Sequence, residues 1–148
     1  MGNEERKAAY NRVVEEAYNK GNLDVLEEVY AADYVYHNPP SPDIIGLEAY
    51  KQHNAAIRSA FPDLQLTLNE SIIEGDRSAF RFTFRGTHTG QSPAMPIPPT
   101  GKQVTMTSCL VAHWVDGKIV EGWDYLDSLG FILQLGFNVV PPQEQGVK

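Results

Sequence analysis

Few residues in this chain can move protons, and their spacing limits where each can act. Ile119, Glu121, Trp123, Tyr125 and Asp127 alternate along the last strand-like run and so share one face. Asp116-Gly117 is a preferred two-residue hairpin turn and pairs Val115 with Lys118. Continued regularly, this register sets Trp114 opposite Ile119, Leu110 opposite Trp123, Ser108 opposite Tyr125 and Met106 opposite Asp127. The face is strongly apolar and reads as the wall of a cavity. A carboxylate among such groups is desolvated, which raises its pKa and strengthens it as a base. Asp127 is therefore the candidate general base. The competing reading is a helix cap, because Asp127 or Ser128 opens the helix that follows. Regular pairing places His113 on the opposite face, beside Asp124, and only a β-bulge would turn it inward.

His53 and Asn54 sit on or beside the stripe Leu47, Tyr50, Asn54, Ile57 and Phe61. Polar groups on an apolar helix face need partners or a wet pocket, so both readings stand. Tyr18 ends the stripe of the first helix and either offers its hydroxyl to the same pocket or is a core tyrosine. His37 ends a strand beside Asn38-Pro39-Pro40. His88 shares a face with Phe80, Phe82, Phe84 and Gly86, at the rim of the pocket. For both, holding a loop by a side-chain hydrogen bond is the alternative. The four histidines lack the close His/Cys spacing of a zinc site, so no metal and no cofactor is expected. Cys109 has no nucleophile motif around it and reads as a small buried residue.

The elements that carry these residues follow from hydrophobic period and breakers. Tyr10, Val13, Val14, Ala17 and Tyr18 make one stripe of a helix over 4–20, stopped by Gly21. A second helix is expected over 23–31, a short strand over 34–37, and a third helix over 47–60 that ends at Phe61-Pro62. Strands follow at about 64–74, 78–89, 102–115 and 118–126, then a short helix over 128–136. Helices first and an antiparallel sheet after them give an α+β class, with the helices on one face. The proline-rich segment 91–100 reads as a stiff flap over the pocket, with Met95 and Ile97 toward a ligand.

Composition removes other classes. The 148 residues suit a single domain, with an ordered core expected over about 4–140. A net charge of −7 and scattered basic residues argue against nucleic acid. No apolar run approaches the ~20 residues of a membrane span. The first residues form a charged segment without an apolar signal core, and the lone cysteine favours a reducing compartment, so a cytoplasmic location is expected.

Several segments occur in a familiar order. Gly86-Thr87-His88-Thr89-Gly90, Pro98-Pro99-Thr100-Gly101-Lys102 and Asp116-Gly117-Lys118-Ile119-Val120-Glu121 are followed by Trp123, Asp127 and Gln134-Leu135-Gly136, with His37-Asn38-Pro39 and Phe61-Pro62-Asp63 upstream. Over about residues 8–137 the chain resembles the SnoaL-like polyketide cyclases of the nuclear-transport-factor-two-like superfamily. The resemblance implies a cone-shaped α+β barrel, a curved antiparallel sheet with three helices around an apolar pocket. It implies intramolecular aldol-type ring closure of a polyketide ester without metal or cofactor, with Asp127 as acid/base and His113 as its partner. It also implies a homodimer or higher homo-oligomer, through the outer face that carries Thr105, Thr107, Cys109 and Val111. The substrate expected is small and hydrophobic or aromatic, against walls that include Met106, Leu110, Trp123 and Tyr125. Hydrolysis or isomerisation on the same scaffold, and a non-catalytic ligand-binding module, are the alternatives.

Overall fold

The apolar stripe at the start of the chain is buried in full: Tyr10, Val13, Val14, Ala17 and Tyr18 all face the core. The computed structural model describes residues 2–143. Helix α1 (Asn3–Val13) runs without a break into a π-helical turn (Val14–Asn19). Leu23–Glu28 is a 3₁₀ turn rather than the expected helix over 23–31. Strand β1 (Tyr30–His37) begins four residues before the expected strand over 34–37 because Tyr30 pairs with Ile119, and Val29 accepts a 2.7 Å hydrogen bond from Ile119. Tertiary pairing there outweighs local helix propensity.

After β2 (Ile44–Ile45) and helix α2 (Leu47–Ala60) come four long strands: β3 (Gln65–Glu74), β4 (Arg77–Thr87), β5 (Gln103–Val115) and β6 (Lys118–Leu126). Helix α3 (Ser128–Gln134) follows. The six strands form one curved sheet in the order β2-β1-β6-β5-β4-β3. This is the α+β architecture expected, with one addition: β1 pairs with β6 in parallel, and the other neighbours are antiparallel.

Inner-face side chains meet α1 and α2 in two clusters. The larger centres on Tyr10, Tyr30, Tyr34, Phe80 and Leu110; the smaller holds Phe61, Leu64, Phe84, Val104 and Leu135. Among the described residues no helix is long and apolar enough to cross a membrane.

The β5–β6 hairpin decides the site. Asp116 (φ 51°) and Gly117 (φ 78°) make the left-handed turn that pairs Val115 with Lys118. Trp114 pairs with Ile119, but His113 pairs with Glu121. Val120 is thus an extra residue, a β-bulge, and every later side chain on β6 changes face. Leu110 lies opposite Asp124, Val111 opposite Trp123 and Cys109 opposite Tyr125. The regular register expected from the sequence is corrected by one residue.

The bulge relieves a burial conflict. Regular pairing would carry Glu121 to the inner face, and an unpaired buried carboxylate is costly. The bulge brings Gly122 there instead, opposite Ala112.

Candidate active site

A cavity of about 380 Å³ opens between α2, the inner face of the sheet, the 91–100 segment and the start of α3. Its walls are mostly apolar: Ile57, Phe61, Phe82, Phe84, Met106 and Leu110 contribute, with Phe131 from α3. Among the described residues, Asp124 is the only carboxylate that lines the cavity and His53 the only imidazole, and no lysine or arginine lines it.

Tyr36 of β1 donates a 2.5 Å hydrogen bond to Asp124 Oδ2, while Oδ1 is buried without a partner. Burial raises the Asp124 pKa to about 6, and the Tyr36 hydrogen bond offsets part of that rise. The same burial, with the Asp124 charge next in weight, holds the Tyr36 phenol far above the ordinary tyrosine range, so it stays a donor. His53 packs 5.6 Å from the Tyr36 ring and 6.3 Å from Tyr50. Burial lowers its pKa, which keeps the imidazole neutral near pH 7 and able to accept or relay a proton.

Tyr18, His53, Asn54, Met106 and Leu110 line the cavity. Asn54 also donates to the Tyr50 carbonyl at 2.8 Å, so helical backbone fixes its orientation.

The other expected site residues lie elsewhere. Asp127 is exposed and caps α3, accepting a 3.0 Å hydrogen bond from the Gly130 amide. His113 lies on the outer face, 3.2 Å from Asp76 rather than beside Asp124. Trp123 and Tyr125 also point outward, and one cause moves both: the extra residue at Val120.

His37 is not among the lining residues. Its two ring nitrogens are held by Asp43 at 2.8 Å and Glu121 at 2.6 Å, and its ring stacks on Trp123. Those carboxylates, Glu121 first, raise its pKa. The clamp fixes the loop that sets Asn38 and Ser41 on the cavity wall.

His88 is fully buried and also outside the lining. Its Nδ1 accepts from the Thr100 amide at 3.2 Å, which pins the far end of the 91–100 segment. That segment is docked on α2 by Gly90 to Ala60 (3.1 Å) and Ser92 to Ala56 (2.5 Å), and it brings Ala94 and Met95 to the cavity. Ile97 is not among the lining residues.

Sequence reasoning missed Asp124, Tyr36 and Tyr50. Asp124 carried a signal: an inward Glu121 is the sort of conflict a bulge resolves. Tyr36 carried none, because its partner is 88 residues away. Among the described residues no group of three or more His, Cys, Asp or Glu side chains is arranged to hold a metal ion.

The family model described as SnoaL-like polyketide cyclase matches residues 8–135. The chain belongs to that family. Among curated relatives, aklanonic acid methyl ester cyclase AcmA of Streptomyces galilaeus is 33% identical over 140 residues, covering 89% of this chain and 91% of AcmA. The aklanonic acid methyl ester cyclase DnrD of Streptomyces peucetius is 31% identical over 127 residues, covering 82% and 84%. Among solved structures, TsrD from Streptomyces laurentii superposes with a TM-score of 0.81 at 27% identity, over 92% of this chain and 98% of TsrD. This SnoaL-like kinship supports a cyclase-like enzyme.

Proposed function

We propose that the protein closes a ring in a small polyketide-type ester by cofactor-free intramolecular aldol addition, with Asp124 as the acid/base. The observation that carries this is Asp124, the one carboxylate lining the cavity among the described residues, held on one oxygen by Tyr36 and with its other oxygen buried. Asp124 as carboxylate takes the acidic proton from the carbon flanked by ester and ketone carbonyls. The enolate carbon attacks a second carbonyl of the same molecule and forms the carbon–carbon bond. The resulting alkoxide takes the proton back from Asp124, so the product is an isomer of the substrate and the enzyme is regenerated. The apolar cavity folds the chain so that the two carbons meet, which supplies much of the rate.

Aklanonic acid methyl ester is the first substrate to test, because AcmA and DnrD are named for it. Ring closure is followed by chromatographic separation of the isomers, and proton removal by deuterium uptake in D₂O at the carbon between the carbonyls. Neither exchange nor closure with any β-keto-ester tried would remove the proposal. Hydrolysis through a carboxylate–arginine array is the weaker reading, since Arg81 and Arg85 are exposed and line no part of the cavity.

The pH dependence has a definite sign. The base form of Asp124 is lost as pH falls, so kcat/KM should decline below an apparent pKa of about 6. The stability effect runs the other way. A carboxyl raised above its free value of 3.8 binds its proton more tightly in the folded state. Its contribution is full below the unfolded pKa and is lost as pH rises through about 6. Initial rates and denaturant midpoints between pH 4 and pH 8 read both; a rate limb that is unchanged in Asp124→Asn would count against the assignment.

The outer face carries the second part of the proposal, a homodimer. Thr105, Thr107, Cys109 and Val111 face outward there, the bulge adds Trp123 and Tyr125, and Tyr125 is 60% exposed. Leu129, Ile132, Leu133 and Phe137 are also exposed at α3 and just beyond it. Light scattering at micromolar concentration should give twice the 16.5 kDa chain mass; a monomer would reject the dimer. The lone Cys109 supports the cytoplasm as the working compartment.

A further inference from the structure

Six of the seven tyrosines of the chain converge on one end of the cavity. Their rings pack edge to face or tilted, with centroids 4.6 Å apart for Tyr30–Tyr34 and 5.0 Å apart for both Tyr34–Tyr50 and Tyr36–Tyr50. Within this cluster four hydroxyls form a chain: Tyr10 to Tyr30 at 3.0 Å, Tyr30 to Tyr18 at 3.0 Å, and Tyr18 to Tyr50 at 2.8 Å. A core needs no such chain. Phenylalanine fills nearly the same space without the cost of desolvating a hydroxyl.

Each phenol donates once. Three links therefore use three of the four protons and leave one hydroxyl, terminal or internal, with a free proton. Tyr10 also contributes to the cavity lining, but its hydroxyl is a poor place for that proton: the ring lies flat on Phe80 at 3.8 Å, the residue is 0% exposed, and Tyr30 is its hydroxyl partner among the described residues. The Tyr50 end borders the cavity beside Tyr36, the side chain that holds Asp124. Tyr50 is also the most acidic phenol of the four. Burial pushes the Tyr50 phenol up only to about 12, because the hydrogen bond from Tyr18 works against it, whereas Tyr10, Tyr18 and Tyr30 are pushed well above the ordinary range.

We propose that Tyr50 is a further catalytic residue, whose hydroxyl donates to the enolate oxygen formed when Asp124 takes the substrate proton. The proposal rests on the Asp124 reading and adds to it. Base and electrophile then sit at one end of the cavity, so charge leaves one group as it is stabilised by the other. The chain behind Tyr50 strengthens the donor, since each hydroxyl that accepts a hydrogen bond becomes a better donor itself. A fixed donor aimed at developing negative charge in a dry site is the arrangement that lowers the barrier to enolisation. The ligand class is thereby narrowed to carbonyl compounds whose enolate oxygen reaches Tyr50 while the acidic carbon faces Asp124.

The test needs no turnover. A series of 2-naphthols, graded in acidity by cyano and halogen substituents, mimics the enolate oxygen. Binding is measured by calorimetry at pH 5, where Asp124 carries its proton as it would after abstraction. With the natural chain, affinity should rise with naphthol acidity. In Tyr50→Phe the rise should flatten, and the most acidic naphthol should lose about 10-fold in affinity. Tyr10→Phe, at the remote end, should lose only about 2-fold.

Circular dichroism and a thermal melt check that each variant folds, and Tyr10→Phe supplies the comparison if Tyr50→Phe does not. An unchanged slope in Tyr50→Phe, no naphthol binding by the natural chain, or a greater loss in Tyr10→Phe than in Tyr50→Phe would each overturn the proposal. None of these outcomes touches the Asp124 assignment, which is tested separately by deuterium uptake, turnover and its pH dependence.

Discussion

Asp124→Asn should lower turnover of a β-keto-ester by about 100-fold or more while leaving ligand affinity nearly unchanged. Asparagine has the same size, and its amide oxygen can still accept the Tyr36 hydroxyl, so the cavity wall keeps its shape. On the proposed mechanism, the lost function is the uptake of a proton from carbon. Asp127→Asn is the matched control. Asp127 is exposed and its carboxylate accepts from the Gly130 amide, a job asparagine does about as well. Turnover of that variant should stay within about 2-fold of the natural chain. Rates and affinities on the pair separate the buried acid from the cap; a large loss in Asp127→Asn with little in Asp124→Asn would reverse the assignment.

Gly90→Ala should cost about 2–3 kcal/mol of stability and loosen ligand binding together. A Cβ on Gly90 would fall 1.7 Å from the Ser59 carbonyl oxygen and 2.9 Å from its carbon. Both belong to the last turn of α2, which has little freedom to yield. The segment must lift instead, losing the Gly90 to Ala60 hydrogen bond and straining the Ser92 to Ala56 bond. Met95 and Ala94 would then withdraw from the cavity. A thermal melt should show a fall of roughly 5–10 °C. An unchanged melting point would show that the segment rests on α2 more loosely than these contacts imply.

Much of the architecture could be read from local patterns. The stripe from Tyr10 to Tyr18 is buried residue for residue, and the Asp116-Gly117 turn lies where its chemistry requires. The alternation of Phe80, Phe82 and Phe84 marked the inner face of β4 correctly. The inner face of β6 was read wrongly because the strand period is two, so one unpaired residue inverts all that follows. Val120 does this without glycine or proline to announce it. The charge of Glu121 was the one local clue.

The histidines were opaque for a different reason. Their roles come from partners distant in sequence: His37 from Glu121, His113 from Asp76, and His88 from Thr100 across the proline-rich segment. A ring nitrogen carries no mark of which partner it will meet.

The parallel pairing of β1 with β6 governs when the protein can begin to work. Tyr36 and Asp124 are separated by 88 residues, and β1 has no long neighbour in the sheet until β6 arrives. A ribosome adds roughly 5–20 residues per second, so β1 waits roughly 4–18 s for its partner. During that time Tyr30, Tyr34 and Tyr36 lack the strand that will shelter them, a state in which unpaired strands can aggregate. The acid, the phenol that holds it and the wall behind them come together in one late closure, so a growing chain has no half-built site in which an enolate could form and be released unclosed.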